Sequence, residues 1–224
     1  MTFSLVARCP ETGRFGLVIS SSSPAVAARC AHARAGVGAV ASQNVTDPRL
    51  GPLALDLMEK GARAQEAVAI LAREMAHPDY RQVLVVDRHG GVAIHSGARA
   101  LGVWAEATGV DCAAGGNLLA DAGVPRAMVA GFEAAGGALG DRLMAALRAG
   151  LVAGGEAGPV HSAGLLVVGE QDWPLAELRI DWAEEDPIGA LGAAWAVYAP
   201  QMEDYVTRAL DPTAAPSYGV PGDE

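Results

Sequence analysis

The sequence predicts an α+β fold of four layers, an αββα sandwich in which two largely antiparallel sheets lie between pairs of helices. Three observations predict it. Strand-like runs arrive in adjacent pairs joined by turn residues, helical stretches also arrive in pairs, and the strands LVISS, VLVVD and GLLVV are apolar on both faces. A half-buried strand alternates apolar and polar residues, whereas a strand covered on both sides reads as a continuous apolar run. Two sheets packed face to face, with helices outside, bury every such face.

The elements follow in order. Residues 3–7 and 15–20 are apolar runs joined by CPETGR, where Pro10 and Gly13 supply turn chemistry, and they read as an opening hairpin. A third strand covers 37–43. Two helices come next, because Leu53, Leu57 and Met58, then Ala64, Val68 and Leu71, recur at helical spacing. Gly61 marks the end of the first, and Pro78 stops the second. QVLVVDRHGGVAIHSG contains two β-rich runs around Asp87, Gly90 and Gly91, a hairpin signal. A short strand at 111–116 precedes a second helical pair at 118–135 and 139–153, with Leu143, Met144 and Leu147 on one face. Strands at 164–168 and 175–181 lead to a helix at 188–205, with Asp186 and Pro187 as its cap and first turn. Residues 1–210 form one domain in this reading. The tail 211–224, rich in Pro, Gly and small polar residues, is flexible.

Composition excludes several function classes. The 224 residues carry 16 basic and 26 acidic side chains, and Lys60 is the sole lysine. Nucleic-acid binding needs a positive stripe to displace counterions, and the chain has none. The longest apolar runs, such as AGLLVV at 163–168, are too short to span a bilayer. Cys9, Cys30 and Cys112 make no CxxC pair and are odd in number, which points to reduced thiols and a cytoplasmic protein. Phosphate-binding glycine motifs are absent and no ligand cluster points to a metal, Cys30, His32 and His161 included, so neither cofactor nor metal is expected.

Several stretches resemble a known family: TFSLVARCPETGRFGLVISS, AGVGAVASQ, DYRQVLVVDRHGGVAIHSGAR, GGNLLA, HSAGLLVV and ELRIDWAEEDP. Together they run from Thr2 to Pro187. They are similar to the domain-of-unknown-function 1028 family, within the N-terminal-nucleophile hydrolase superfamily, whose fold is the αββα sandwich. The chain departs from that pattern at Cys9, Ser22 and His161. The resemblance implies hydrolysis of a small amide bond of an amino-acid or peptide derivative, with Thr2 as nucleophile. Removal of Met1 would free the Thr2 α-amine, whose ordinary pKa of about 7.7–8.0 suits a general base. Ser21 and Asn117 would help hold the oxyanion.

The remaining candidates each carry a structural alternative. Ser21 and Ser22 belong to a serine run that ends the second strand, where hydroxyls also satisfy turning backbone. Ser42, Gln43 and Asn44 end the third strand and could line a pocket or form a loop. Asn117 follows two glycines that let backbone approach a ligand, but it reads better as the cap of a helix starting at Leu118, which does not exclude a second role. Arg81 could pair a substrate carboxylate, His95 could act as a base, and Ser162 joins the substrate-binding set. Trp173, Trp182 and Trp195 read as a homodimer patch or as core. The alternative function is a non-catalytic small-ligand-binding or structural dimer on the same scaffold. A third places chemistry at His95 or Cys112.

Overall fold

The computed structural model describes residues 1–220. The order is β1 (Thr2–Arg8), β2 (Phe15–Ser21), α1 (Val26–Cys30), β3 (Ala31–Arg34), β4 (Gly38–Asn44), α2 (Leu50–Glu59), α3 (Ala64–Glu74), β5 (Arg81–Asp87), β6 (Val92–Ser96), β7 (Ala105–Gly109), β8 (Cys112–Asn117), α4 (Val124–Ala134), α5 (Leu139–Val152), β9 (Ser162–Val168), β10 (Pro174–Ile180), α6 (Pro187–Tyr198) and α7 (Met202–Leu210). The described strands form two antiparallel sheets, one of six strands in the order β10-β9-β2-β1-β8-β7 and one of four in the order β3-β4-β5-β6.

Strand alternation assigns each side chain to a layer. From β1, Phe3, Leu5 and Ala7 face outward and pack with Phe132, Leu143 and Trp195 of α4, α5 and α6. Val6 faces inward, where Leu17 and Ile19 of the large sheet meet Ala39, Leu84 and Val86 of the small one. The outer face of the small sheet carries Val40, Val83 and Val85 beneath Leu55, Met58 and Leu71 of α2 and α3. These three cores make the four layers αββα, and β2, β8 and β9 are buried along their whole length, as strands covered on both faces must be.

Some elements differ from the sequence expectation. α1, β3 and β7 were not anticipated. β3 (AHAR) is half-buried throughout and β7 (AEATG) alternates between half-buried and exposed residues, so neither edge strand carries an apolar run. The helix expected at 118–135 starts at Val124, because Leu118 has a φ of 50° and the Asp121 carboxylate accepts the Gly123 N–H at 2.6 Å, forming a turn. Asn117 therefore ends β8 and caps no helix. The helix expected at 188–205 divides at Pro200, which has no N–H to donate, into α6, a 3-10 turn and α7. On α2 the buried face is Leu50, Ala54, Leu55 and Met58, and Leu53 is exposed. Of the tail, residues 221–224 lie outside the described residues. Before them, the Arg208 guanidinium stacks over Tyr218 at 3.9 Å and donates to Pro216 O at 2.9 Å.

The β5–β6 turn also ties two layers together. The buried Asp87 carboxylate accepts the N–H groups of His89 at 2.8 Å and Gly91 at 3.0 Å, and also that of Ala64 at the start of α3 at 2.9 Å. Hydrogen bonds to a charged group contribute more than neutral ones, and all three donors lose their partner together if it is removed. Asp87→Ala is expected to cost about 3 kcal/mol of folding stability, measured as a lower urea midpoint with an unchanged denaturant slope.

Candidate functional site

Antiparallel pairing brings the start of β1, β5 and β9 and the ends of β2, β4 and β8 to one end of the sandwich. By alternation, Thr2, Ser4, Ser21, Asn117 and Ser162 of the large sheet point into the seam there, toward Gln43, Gln82 and Ser96 of the small sheet. The seam is apolar along most of its length and polar at this end.

Buried polar groups must be paired, and here they pair with one another. Ser4 Oγ donates to Gln43 Oε1 at 2.7 Å. Gln43 Nε2 donates to Gln82 Oε1 at 2.8 Å and to Gly115 O at 3.2 Å. Gln82 Nε2 reaches Ser96 Oγ at 3.0 Å and Gly116 O at 3.3 Å, and Asn117 Nδ2 donates to Gln82 Oε1 at 3.3 Å. One acceptor is left over: Asn117 Oδ1 is buried and has no partner. Gly115 and Gly116 serve packing, since a Cβ at Gly115 would stand 3.3 Å from Leu84 of the facing sheet and one at Gly116 only 2.6 Å from Leu119.

Thr2 lies beside this network with 5% of its surface exposed, paired in register with Asn117. Its Oγ1 reaches Ser21 Oγ at 3.4 Å, and both hydroxyls also reach Met1 O. Ser21 Oγ is 2.8 Å from Ser23 Oγ and accepts the Ser23 N–H at 3.1 Å. Arg29, on α1, donates to Ser23 Oγ at 3.2 Å and to the carbonyls of Pro24 and Ala25. Ser162 Oγ donates to Ser23 O at 2.7 Å and accepts the Val26 N–H at 3.3 Å. A chain of hydroxyls thus runs from Thr2 through Ser21 and Ser23 to a guanidinium, with Ser162 pinning the turn that carries it.

Glu156 is the residue that sequence reasoning missed. It sits in the glycine-rich segment between α5 and β9, which backbone bonds from Ala120 to Gly155 at 3.1 Å and from Ala157 to Leu118 at 2.9 Å tie to the stretch after β8. The side chain is 4% exposed, and the Ser22 N–H lies 3.1 Å from each carboxylate oxygen. Burial pushes its carboxyl pKa up to about 7, partly offset by the chain's N-terminal amine, by the Ser22 hydroxyl and N–H, and by His161. The carboxyl is thus held by the backbone between Ser21 and Ser23, the two serines of the hydroxyl chain. The signal available in sequence was a single charge, Glu156, within GGEAG.

His161 stacks on Trp182, ring centroids 4.4 Å apart, and its Nδ1 donates to Ala183 O at 2.9 Å, leaving Nε2 without a proton in the neutral ring. The other candidates point elsewhere. Ser42 Oγ donates to Asp47 O at 3.1 Å, on the outer side of the small sheet. Asn44, at a φ of 74°, bridges Tyr80 O and the Leu101 N–H. Arg81 donates to the carbonyls of Ala76 and Val45, and His95 Nε2 lies 2.9 Å from Pro78 O. Gln43 belongs to the seam network, and Ser22 reaches the site through Glu156. Cys112 is fully buried, and burial first, then the Glu133 charge, pushes its thiol up to about 12, so it offers no thiolate. Among the described residues no three metal-ligating side chains come together, and no helix is long and apolar enough to cross a membrane. Trp195 is core and donates to Asp141 at 2.8 Å. Trp173 and Trp182 flank β10 at opposite ends, so they do not form one patch.

Fold and site together define a two-sheet αββα protein whose first central strand opens with a buried threonine in a serine-lined seam. The chain belongs to a family of unknown function, DUF1028, whose profile matches residues 2–191. A solved structure of the same family, protein SPO2555 from Silicibacter pomeroyi, is 30% identical, covers 91% of this chain and 89% of its own, and superposes with a TM-score of 0.84. Anbu (ancestral beta-subunit) from Yersinia bercovieri is 11% identical over 91% of this chain and 97% of its own, with a TM-score of 0.42. An Anbu (Gly-1) mutant from Hyphomicrobium sp. strain MC1 is 10% identical over 90% and 96%, with a TM-score of 0.40. No curated protein matches the chain.

Glu156 gives stability a pH dependence. Its folded pKa of about 7 lies above the ordinary 4.5, so between these values the folded chain holds a proton that the unfolded chain releases. The contribution is whole below pH 4.5 and is lost as pH rises through 7. Stability is expected to fall by up to about 3 kcal/mol between pH 5 and pH 8 through this group, read by urea denaturation at each pH. Glu156→Gln should remove that slope.

Proposed function

We propose that the protein is an N-terminal-nucleophile hydrolase that cleaves a small amide C–N bond, with Thr2 as nucleophile once Met1 has been removed. The observation that carries this reading is the buried Thr2 hydroxyl, within reach of Ser21 and of the carbonyl preceding its own nitrogen. A free α-amine at Thr2 takes the proton from Oγ1 as that oxygen attacks the substrate carbonyl carbon. The resulting oxyanion takes hydrogen bonds from Ser21 Oγ and from the second N–H of Asn117 Nδ2. The ammonium then returns the proton to the departing nitrogen as the C–N bond breaks, and water, deprotonated by the same amine, hydrolyses the ester on Thr2. Arg29 supports the hydroxyl chain with a positive charge two hydroxyls away, which favours electron density on Ser21 and Thr2 oxygens.

A second reading, ligand binding without chemistry, has one observation in its favour. With Met1 in place its carbonyl takes both the Thr2 and the Ser21 hydroxyls, and the amine needed as base is an amide.

Mass spectrometry on purified full-length chain, paired with a screen of amino-acid amides and dipeptides, separates the two. Protein lacking Met1 is expected to turn over at least one amide. Thr2→Ala and Met1-retaining protein should each lose about a thousandfold or more in kcat/KM, and Thr2→Ser should keep part of it. Equal turnover by Thr2→Ala would remove Thr2 from the chemistry.

A further inference from the structure

The site is rich in acceptors and poor in free cations. Asn117 Oδ1 is buried without a donor. The Glu156 carboxylate is buried with Ser22 as its source of donors. The nearby guanidinium, Arg29, is committed to Pro24 O, Ala25 O and Ser23 Oγ. A substrate carboxylate entering here would meet another carboxylate, whereas an ammonium would give Asn117 Oδ1 the donor it lacks and Glu156 a counter-charge.

Met1 indicates where such an ammonium would sit. It is an α-aminoacyl group carried on the Thr2 nitrogen, and its carbonyl oxygen takes the Thr2 and Ser21 hydroxyls. Its α-amine lies within the electrostatic reach of Glu156, though the two make no ion pair. Its methyl end packs over Gly158, 3.6 Å from where a Cβ would stand, so an unbranched apolar side chain fits against this segment. An acyl group on Thr2 Oγ1 lies close to one on the Thr2 nitrogen, because the two atoms are joined through Cα and Cβ alone and an acyl group passes between them through a five-membered ring.

Resting on the proposed Thr2 chemistry, we infer that the substrate class is the α-aminoacyl amide, an amide or dipeptide with a free α-ammonium and a slim apolar first side chain, whose ammonium is held by Glu156. The acyl carbon bonds to Thr2 Oγ1, the scissile C–N bond breaks, and the departing nitrogen takes the proton from the Thr2 ammonium. Water then releases the free amino acid. Glu156 orients the substrate and takes no part in bond exchange.

Two measurements on full-length chain lacking Met1 test this and keep it separate from the Thr2 reading. In the first, methionine amide and N-acetylmethionine amide are titrated into Thr2→Ala protein by calorimetry, so that binding is read without turnover. The free-amine ligand is expected to bind at least tenfold more tightly, an advantage that Glu156→Gln abolishes while its melting temperature confirms folding. In the second, turnover of both amides is followed with wild-type Thr2. Preference for the acetylated ligand, or none, overturns the substrate class whatever the turnover, and needs no variant at Glu156. Tight binding of methionine amide without Thr2-dependent turnover upholds the ammonium site and overturns the Thr2 chemistry.

Discussion

The seam between the two sheets governs this structure, because polar groups placed there lose water and must find partners inside the protein. Along most of the seam the answer is to have none, and Val6, Leu17, Ile19, Leu84 and Val86 close it. At one end the chain instead commits Ser4, Gln43, Gln82, Ser96 and Asn117, each from a different strand. A leftover acceptor in such a place costs on the order of 1–3 kcal/mol. The glutamine pair is satisfied within the network, so it registers one sheet against the other. Asn117 Oδ1 is not, and an unpaired acceptor retained beside a buried threonine is the kind of cost associated with a functional site.

Electrostatics at the same end depends on loops anchored by that sheet. The hydroxyl chain from Thr2 to Arg29 exists because Ser162, at the start of β9, holds the turn after β2, and because α1 follows that turn at once. Glu156 arrives from the opposite side, on a segment strapped to the residues following β8. Strand ends thus supply the Thr2 hydroxyl and the Asn117 amide, while the connections supply the charges. Charges of both signs thus reach the serine run after β2, Glu156 at Ser22 and Arg29 at Ser23.

How much of this was legible follows from range. Thr2, Ser21 and Ser162 were placeable because they sit at strand ends, where a two-residue period decides the facing side, whereas Asn117 reads better in sequence as a helix cap, and in the structure β8 ends on it. The same period already argues against Ser42, Gln43 and Asn44 acting together, since Ser42 and Gln43 must point to opposite faces, and they do. The αββα layers were readable because continuous apolar strands leave few packings. Glu156 was not readable, because GGEAG has no periodicity and its position comes from backbone bonds to residues 118–120, far away in sequence. Arg29 escaped for a similar reason: α1 is five residues long, too short for a helical period to show. Arg81 and His95 looked reactive by residue type, yet both spend their donors on backbone carbonyls, a use that residue type alone does not distinguish.

Met1 connects the architecture to the chemistry. Its carbonyl occupies the Thr2 and Ser21 hydroxyls, which on the proposed chemistry attack the substrate carbonyl and hold its oxygen, and its amine lies within the electrostatic reach of Glu156. On the proposed reading the first residue is more than a cover over the second, because an aminoacyl substrate would bring the same carbonyl and amine to the site. Cleavage of the Met1–Thr2 bond would do two things at once. It would convert the Thr2 amide, which cannot accept a proton, into an amine that can, and it would vacate the place that the substrate must fill. On the proposed chemistry, base and binding site would thus appear together.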